Sequence, residues 1–210
     1  MKKIAIIGAG GFGREIKVLI DQINKSFEEY KIIGFFDDNK NLPKVINGIP
    51  VLGDIDILIR NFSNSNLNIV LGIGSPLVKY SIIKRLKNDN FIYPVLNHPS
   101  NIISDDNVNL GQGGIICAGV IITCDIDIGE FVTINKNSTI AHDSRIGEYS
   151  SIMTGSIISG EVNIGQKVYV GSGSTIINKI DIGNETIIGA GSVVIKSIIS
   201  NCTVVGVPAK

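Results

Sequence analysis

The chain has 210 residues and carries 19 acidic and 19 basic side chains, so its formal net charge is zero. This balance gives no support to a nucleic-acid partner or to a polybasic membrane segment. Every apolar stretch is interrupted before it could span a membrane, and no cleavable signal pattern is present, so we expect a cytoplasmic protein. Its three cysteines, Cys117, Cys124 and Cys202, lack metal-ligand spacing and are interpreted as free thiols.

Residues 1–97 alternate strand and helix signals in chain order. Such alternation is typical of βαβ units, in which parallel strands form a sheet with helices packed on it. We therefore predict a Rossmann-like α/β domain at 1–97. Its predicted strands are Ile4–Ile7, Lys31–Phe36, Pro50–Leu52, Ile69–Leu71 and Phe91–Val95, and its predicted helices are Arg14–Gln22, Ile55–Asn61 and Leu77–Asn88.

A Gly8-x-Gly10-x-x-Gly13 motif follows the first predicted strand and opens the first helix. Glycines in such a loop allow the backbone to approach a phosphate, which the helix N-terminus binds. Asp37, at the end of the second strand, could bind a ribose hydroxyl, so NAD stays open as a ligand. A complete dinucleotide fold needs two mononucleotide units, and residues 1–97 have little room for the second. We therefore favour a nucleotide site without a redox role over a dehydrogenase.

From residue 98 the period of the sequence changes to six. Every sixth residue from Leu110 to Val194 is aliphatic, over fifteen successive positions, and aliphatic-Gly pairs recur every 18 residues. Three hexapeptides per coil predict a triangular prism whose aliphatic row points inward, with coils stacked at the ordinary strand spacing of ~4.8 Å. About five coils then share one continuous core. We predict a parallel β-helix at 98–210, and its pattern resembles the left-handed form.

One histidine of the predicted β-helix, His142, stands in a row that faces outward near the prism corners. Asp143 follows it directly, and Gly160 lies 18 residues further on, so it is expected one coil away in the same row. An imidazole beside a carboxylate is the usual pair of a general base and the group that orients it, and a glycine N–H can stabilise an oxyanion. We interpret His142 as a general base rather than a surface histidine, and His98, beside Pro99, as structural.

Six stretches of the chain together resemble the bacterial sugar acyltransferases of the NeuD/PglD type, and the resemblance covers both domains in the same order. It implies a homotrimer with the active site between neighbouring prisms, and acetyl transfer from acetyl-CoA to an amino group of a nucleotide-linked sugar, without a metal. Relatives can carry a second histidine in place of Ser151 and a glutamate in place of Asp143. The stretches are GAGGFGRE, FFDD, HDSRIG, VGSGSTI, IGAGSVV and VVGVPAK.

The resemblance also implies roles for individual residues. His142 is the base, Asp143 raises its basicity, Gly160 supplies the oxyanion donor, and Asn135 contacts the acceptor sugar. Acetyl-CoA lies along an outer groove formed by Ser151, Gly171, Ser172, Gly189 and Ala190. The nucleotide-sugar is held by Gly10, Gly11, Phe12, Asp37, Asp38 and Gly74.

Three other functions stay open at this point. O-acetylation of sialic acid or of another sugar hydroxyl could use the same base, because a hydroxyl also has to lose a proton. A non-catalytic nucleotide-sugar-binding protein would need only the N-terminal site. A metal protein of the γ-carbonic-anhydrase kind needs about three histidines at subunit interfaces, and the hexapeptide repeats from Leu110 to Val194 have one, so it is the weakest alternative.

Overall fold

The protein, described here from a computed structural model that covers residues 1–87 and 89–210, contains two compact units. One unit comprises Met1–Gly74 and Val78–Pro94, and the other comprises Ser75–Leu77 and Val95–Lys210. Within the described ranges, no helix is both long enough and apolar enough to cross a membrane.

The N-terminal part of the chain forms the predicted Rossmann-like α/β fold around one five-stranded sheet. Its elements are β1 (Lys2–Ile7), α1 (Gly11–Phe27), β2 (Tyr30–Phe36), β3 (Val45–Ile46), β4 (Ile49–Gly53), α2 (Ile55–Phe62), β5 (Asn68–Leu71) and α3 (Pro76–Leu86). The strand order is β3-β4-β2-β1-β5. All pairs are parallel except β3 with β4, which form an antiparallel hairpin at the sheet edge.

Burial explains why these segments adopt these elements. All four residues of β5 and the last four of β1 are buried, as expected for central parallel strands covered on both faces. In α1 the apolar residues recur at helical spacing, and the buried stripe continues past the predicted end at Gln22 to Ile23. The helix therefore ends at Phe27. Its C-cap, Glu28, adopts the left-handed conformation with φ of 46°.

Two details of the predicted elements need correction. The β3–β4 hairpin was not predicted, although its Asn47-Gly48 turn, with φ of 48° and 78°, is a typical hairpin sequence. The predicted strand at Phe91–Val95 is wrong, because only Ile92 forms an isolated bridge, to Asn68. The predicted end of the third helix, Asn88, lies outside the described residues.

The C-terminal unit is the predicted left-handed parallel β-helix, with one sheet on each of its three faces. The first face contains β6 (Leu96–Asn97), β9 (Ile115–Ile116), β12 (Thr133–Ile134), β15 (Ser151–Ile152), β18 (Tyr169–Val170), β21 (Ile187–Ile188) and β23 (Thr203–Val204). The second face contains β7 (Ile102–Ile103), β10 (Ile121–Ile122), β13 (Thr139–Ile140), β16 (Ile157–Ile158), β19 (Thr175–Ile176) and β22 (Val193–Val194). The third face contains β8 (Val108–Leu110), β11 (Ile126–Ile128), β14 (Arg145–Ile146), β17 (Asn163–Ile164) and β20 (Asp181–Ile182).

The six-residue aliphatic row forms the core of the prism. Its members from Ile116 to Val194 are all buried and pack in one cluster, and the first member, Leu110, is half-buried where the coils begin. From Val108 to Val194, neighbouring coils pair in parallel at a separation of 18 residues, as in Ile134 with Ile152 and Ile152 with Val170. The hexapeptide interpretation is therefore confirmed.

A test of this core is Ile152→Asp, because Ile152 is fully buried between two coils. The variant should lose its cooperative thermal transition or aggregate, since the carboxylate would be buried without a partner. The matched control is Ile187→Asp, because Ile187 stands one residue before an inward position and is 46% exposed. The control should melt cooperatively within a few degrees of wild type by far-UV circular dichroism. A cooperative, wild-type-like melt of Ile152→Asp would be incompatible with the core described.

Candidate functional site

His142 and Asp143 lie at the corner between the second and third faces of the prism. The imidazole Nδ1 is 2.8 Å from Asp143 Oδ2, and both side chains are more than half exposed. Because the carboxylate engages Nδ1, the ring presents Nε2 as the free nitrogen. The His142–Asp143 pair predicted from the sequence is therefore formed.

The backbone at Asp143 explains why an aspartate can stand beside the histidine. Asp143 has φ of 58°, and its N–H donates to the carbonyl oxygen of Cys124, one coil earlier, at 3.2 Å. Aspartate tolerates this left-handed conformation better than most residues with a Cβ. The same residue therefore fits the turn of the prism and carries the carboxylate that holds the imidazole.

Gly160 lies directly against the His142 ring, one coil further along the prism. A Cβ at position 160 would come within 2.5 Å of His142 Cε1 and Nε2, so any larger residue would overlap the imidazole in its present position. Among the described residues, no acceptor is bonded to the Gly160 N–H. Gly160 therefore leaves space for the ring, and its N–H is a donor that no described residue uses.

The residues expected to contact acetyl-CoA and the acceptor sugar lie mainly at another corner, between the first and second faces. Asn135, Gly171 and Gly189 stand in one column, two coils and then one coil apart, and the exposed Ser172 and Ala190 stand in the next. A Cβ at Gly171 would meet the backbone N of Ala190 at 2.5 Å, so this glycine is required by the spacing of the coils. Asn135 is buried, and its Oδ1 accepts the N–H of Lys136 at 2.8 Å.

Ser151 differs from the other residues of the expected acetyl-CoA groove. It stands in β15 on the first face, in an outward position, yet it is 0% exposed. Its Oγ is buried and has no hydrogen-bond partner among the described residues. A fully buried side chain cannot contact CoA from the surface, so the structure gives the expected contact at Ser151 no support.

One protomer therefore carries the candidate site in two separate parts. His142, Asp143 and Gly160 are at the second–third corner, whereas Asn135 is at the first–second corner of the same coil. The second face of the prism lies between the two corners.

The glycines of the loop after β1 have two different roles. Some allow close packing of the backbone, and others are exposed to solvent. Gly8, with φ of 95°, and Gly13 pack against each other and against the loop after β5, where a Cβ at Gly72 would come within 2.5 Å of Gly13 Cα. Gly10 and Gly11 are exposed, and a Cβ at Gly10 would meet nothing within 4 Å. The tight packing holds the loop, and the exposed positions remain accessible to a ligand.

The N-terminus of α1 is open as an anion site. Its N-cap, Gly10, provides no side-chain hydrogen bond, and the first turn, which includes Phe12, contains no acidic residue. The first N–H groups of a helix lack intrahelical acceptors and attract anions. Gly74, in the loop after β5, also faces open space, and Arg14, a residue not predicted for the site, has Nη2 3.9 Å from the Cβ position of Gly11.

The two expected acidic residues after β2 are already engaged within the domain. Asp37 accepts the N–H groups of Ala9 at 2.8 Å and Asn39 at 2.9 Å, so it holds the glycine-rich loop. Asp38 forms an ion pair of 2.6 Å with Arg85. Burial alone would raise the pKa of Asp38, but the hydrogen bonds from Arg85 and from the N–H of Ile55 lower it overall. Both oxygens of each carboxylate have one partner, but Asp37 accepts only backbone N–H groups, whereas Asp38 is also in an ion pair with Arg85 and is the poorer candidate for a ribose hydroxyl.

A polar groove of about 840 Å³, which was not predicted, runs along the third face and reaches Asp143. Asn163 donates to Asp181 at 2.9 Å across neighbouring coils, and Arg145 Nε lies 3.8 Å from Asp127 Oδ2. The sequence signal for this groove is the residue before each inward aliphatic position, which is polar throughout this face: Asn109, Asp127, Arg145, Asn163 and Asp181.

The other histidine has a local structural contact, and no metal centre is formed by the described residues. His98 Nδ1 accepts the N–H of Ser100 at 3.0 Å, and partial burial lowers the pKa of its imidazole. Within residues 1–87 and 89–210, no group of three or more His, Cys, Asp and Glu side chains is arranged to hold a metal ion.

Comparisons with known proteins identify relatives of the N-terminal domain and of the whole chain. Residues 3–86 match the family described as the PglD N-terminal domain. The whole structure is similar to the acetyltransferase domain of PglB from Neisseria gonorrhoeae FA1090, with 26% sequence identity, a TM-score of 0.89 and coverage of 100% of this chain and 99% of that chain. The same domain has been solved in complex with acetyl coenzyme A. None of the curated proteins matches the chain by sequence.

Two further solved structures are similar over the whole chain. PerB from Caulobacter crescentus, in complex with CoA and GDP-perosamine, is 29% identical with a TM-score of 0.86, and the match covers 100% of this chain and 97% of that one. WeeI from Acinetobacter baumannii AYE is 29% identical with a TM-score of 0.88, at 100% and 99% coverage. These findings confirm the resemblance to the NeuD/PglD-type sugar acetyltransferases in both domains.

The contact between Gly160 and the imidazole leads to a test that is independent of activity. Gly160→Ala should displace the exposed His142 ring, because the new Cβ would overlap it, while changing the free energy of unfolding by no more than ~1 kcal/mol. The chain has two histidines, so NMR can follow both imidazoles: the His142 signals should shift and those of His98 should not. Asn178→Ala, in the same row one coil further on, is the control. Unchanged His142 signals in Gly160→Ala would show that the ring does not pack on Gly160.

Proposed function

We propose that this protein is an acetyl-CoA-dependent N-acetyltransferase that acts on an amino group of a nucleotide-linked amino sugar. The observation that carries the proposal is the exposed His142–Asp143 pair packed against Gly160. An imidazole held by a carboxylate, beside an unused backbone N–H, is suited to acyl transfer, which needs a base for the nucleophile and a donor for the oxyanion.

The relatives support the substrates of this proposal. PerB was solved with CoA and GDP-perosamine, and the PglB domain with acetyl coenzyme A. A variant of the Caulobacter perosamine N-acetyltransferase with a histidine replaced by asparagine was also solved with CoA and GDP-perosamine. By analogy, we expect His142 to act in the reaction rather than in substrate binding.

In the proposed mechanism, acetyl transfer is direct and needs no acyl-enzyme. His142 Nε2 takes a proton from the neutral acceptor amine as its nitrogen attacks the thioester carbonyl carbon. The Gly160 N–H donates to the oxyanion of the tetrahedral intermediate, and Asp143 stabilises the imidazolium through Nδ1. The C–S bond then breaks, and the imidazolium returns its proton to the CoA thiolate, which leaves as the thiol.

The N-terminal domain would hold the acceptor by its nucleotide. In this proposal the nucleotide phosphates bind the open N-terminus of α1 at Gly10, Gly11 and Phe12, and Asp37 and Gly74 complete the site. Asp38 would contribute by keeping Arg85 and the N-terminus of α2 in place, since it is in an ion pair with Arg85 and accepts the N–H of Ile55. A phosphate anion fits this loop because the first turn has no acidic residue.

We also propose that the active form is a cytoplasmic homotrimer, as the resemblance implies. Support comes from the two corners of the prism, because His142 and the expected acetyl-CoA residues are separated by a whole face in one protomer. Association of copies would bring the two parts of the site together.

The catalytic proposal predicts the effect of His142→Ala. The substitution should lower kcat by ~10²–10⁴ and leave the KM values nearly unchanged, because the ring acts chiefly in the transition state. Asp143→Asn should cost less, since it removes only the orientation and charge stabilisation of the ring. The measurement is thiol release from acetyl-CoA with an amino nucleotide-sugar as the acceptor.

His98→Ala is the control for that experiment, because His98 is the other histidine of the chain and was interpreted as structural. This variant should keep the wild-type kcat. Wild-type turnover by His142→Ala would remove this residue from the mechanism. A hydroxyl analogue of the acceptor, tested in parallel, separates N-acetylation from O-acetylation. Faster turnover of the hydroxyl analogue would favour the O-acetyltransferase.

The acceptor site leads to a separate test, Gly11→Val. A β-branched side chain at this exposed position should block approach of the phosphate to the helix N-terminus and raise the KM for the nucleotide-sugar at least tenfold. The KM for acetyl-CoA should not change. Val18→Ala, on the exposed surface of the same helix, is the matched control. If the wild type bound NAD tightly and did not bind acetyl-CoA, the dehydrogenase alternative would be restored.

A further inference from the structure

Arg85 joins three elements of the N-terminal domain through the two branches of its guanidinium. Its Nη1 donates to Asp38 Oδ2 at 2.6 Å, and its Nη2 donates to Asp56 Oδ1 at 2.9 Å. Arg85 lies in the last turn of α3, Asp38 lies in the loop after β2, and Asp56 lies in the first turn of α2. One side chain therefore holds the ends of three elements relative to one another.

The partner of Arg85 stands beside the residue that holds the glycine-rich loop. Asp38 directly follows Asp37, whose carboxylate accepts the N–H groups of Ala9 at 2.8 Å and of Asn39 at 2.9 Å. A continuous path of bonded groups therefore leads from Arg85 to Ala9, which directly precedes the N-cap of α1. Any shift of the loop after β2 would be transmitted along this path to the open N-terminus of that helix.

The ion pairs of Arg85 are too exposed to contribute much to the stability of the domain. The side chains of Arg85, Asp38 and Asp56 are 39%, 52% and 73% exposed. Exposed ion pairs gain little net free energy, because water screens the charges and two flexible side chains lose freedom. Their geometry is nevertheless specific, since the planar guanidinium offers several nitrogens in a fixed fork and a lysine offers one. The pairs are therefore better suited to fixing positions than to stabilising the fold.

We propose that Arg85 is a positioning residue of the nucleotide site. It holds Asp38, and through it Asp37 and the glycine-rich loop, in the arrangement that binds the phosphates of the acceptor. The guanidinium also neutralises a carboxylate that would otherwise repel the approaching anion. This role requires no contact between the guanidinium and the ligand. The inference rests on the proposed function and adds a residue of α3, which the glycine motif does not include.

The positioning role is tested first by the kinetics of Arg85→Ala. Its KM for the nucleotide-sugar should rise about fivefold, the upper end of what an exposed ion pair contributes. Its kcat and its KM for acetyl-CoA should not change, and it should melt within a few degrees of wild type. Arg85→Lys should recover part of the loss, since it keeps the charge without the fork. The matched control is Lys84→Ala, which removes the same charge from the neighbouring exposed position and should keep the wild-type KM.

A double-mutant cycle identifies the route of the effect. Asp38→Asn should also raise the KM for the nucleotide-sugar, because the amide cannot form the ion pair. Arg85→Ala added to Asp38→Asn should then raise the KM by less than about twofold further, since the two residues act as one unit. If Arg85→Ala costs as much in the Asp38→Asn background as in wild type, Arg85 acts independently of Asp38 and the positioning role is wrong.

Hydrogen exchange of the backbone amides tests the same path without a ligand. The N–H groups of Ala9 and Asn39 are held by the Asp37 carboxylate, so peptides that contain them should exchange faster in Arg85→Ala than in Lys84→Ala. Mass spectrometry of the exchanged peptides measures this difference. A role confined to the fold of α3 would raise exchange in α3 itself. Unchanged exchange at the two loops would contradict the proposed path.

The outcomes separate this inference from the proposed function. Calorimetric titration with GDP and with UDP measures nucleotide binding without acetyl transfer. If wild type acetylates the sugar and Arg85→Ala keeps the wild-type KM, the positioning role is wrong and the proposed function stands. If Arg85→Ala binds either nucleotide more weakly than wild type does, but wild type transfers no acetyl group, the inference stands and the proposed function fails. If wild type binds neither nucleotide and is not saturated by the nucleotide-sugar, there is no nucleotide site to position and the inference is overturned.

Discussion

The hydrogen-bond ladder between successive coils is the constraint on which the C-terminal unit depends. From Val108 to Val194 each coil pairs with the next at a separation of 18 residues, so each of its three faces contains six residues and ends in a turn. Every sixth residue from Asn107 to Gly191 has a positive φ as a result. The set includes Phe131, Tyr149 and Lys167, residue types that rarely adopt this conformation. The repeated ladder and the shared core outweigh the local strain of each turn.

The candidate catalytic residues use positions that this geometry creates. Asp143 occupies a left-handed turn position, and its conformation directs the carboxylate toward the neighbouring imidazole. Gly160 is the corresponding residue of His142 one coil later, where a side chain would overlap the ring. Rigid coils on both sides hold these groups in place, which a catalytic site requires. The proposed chemistry therefore depends on turn residues rather than on the strands.

Glycines of the N-terminal domain follow a comparable division of roles. Gly8, Gly13 and Gly72 allow β1, α1 and the loop after β5 to approach more closely than any Cβ would permit. Gly10 and Gly11 make no such contact and leave the helix N-terminus open. Asp37 then ties the loop to the end of β2 through the Ala9 N–H. A motif that looks uniform in the sequence thus combines a packing function with an accessible surface.

The sequence by itself determined the β-helix, its inward row and the neighbours of His142. A strict period of six fixes which residues point inward, and three hexapeptides per coil fix which residues stack on one another. It also determined the Rossmann-like unit, since buried strands and the glycine motif are local signals. Tertiary structure decided the burial of Ser151, the engagement of Asp38 by Arg85 and the failure of Phe91–Val95 to form a strand. Those features depend on contacts between segments distant in the chain, and side-chain periodicity carries no information about what covers a surface.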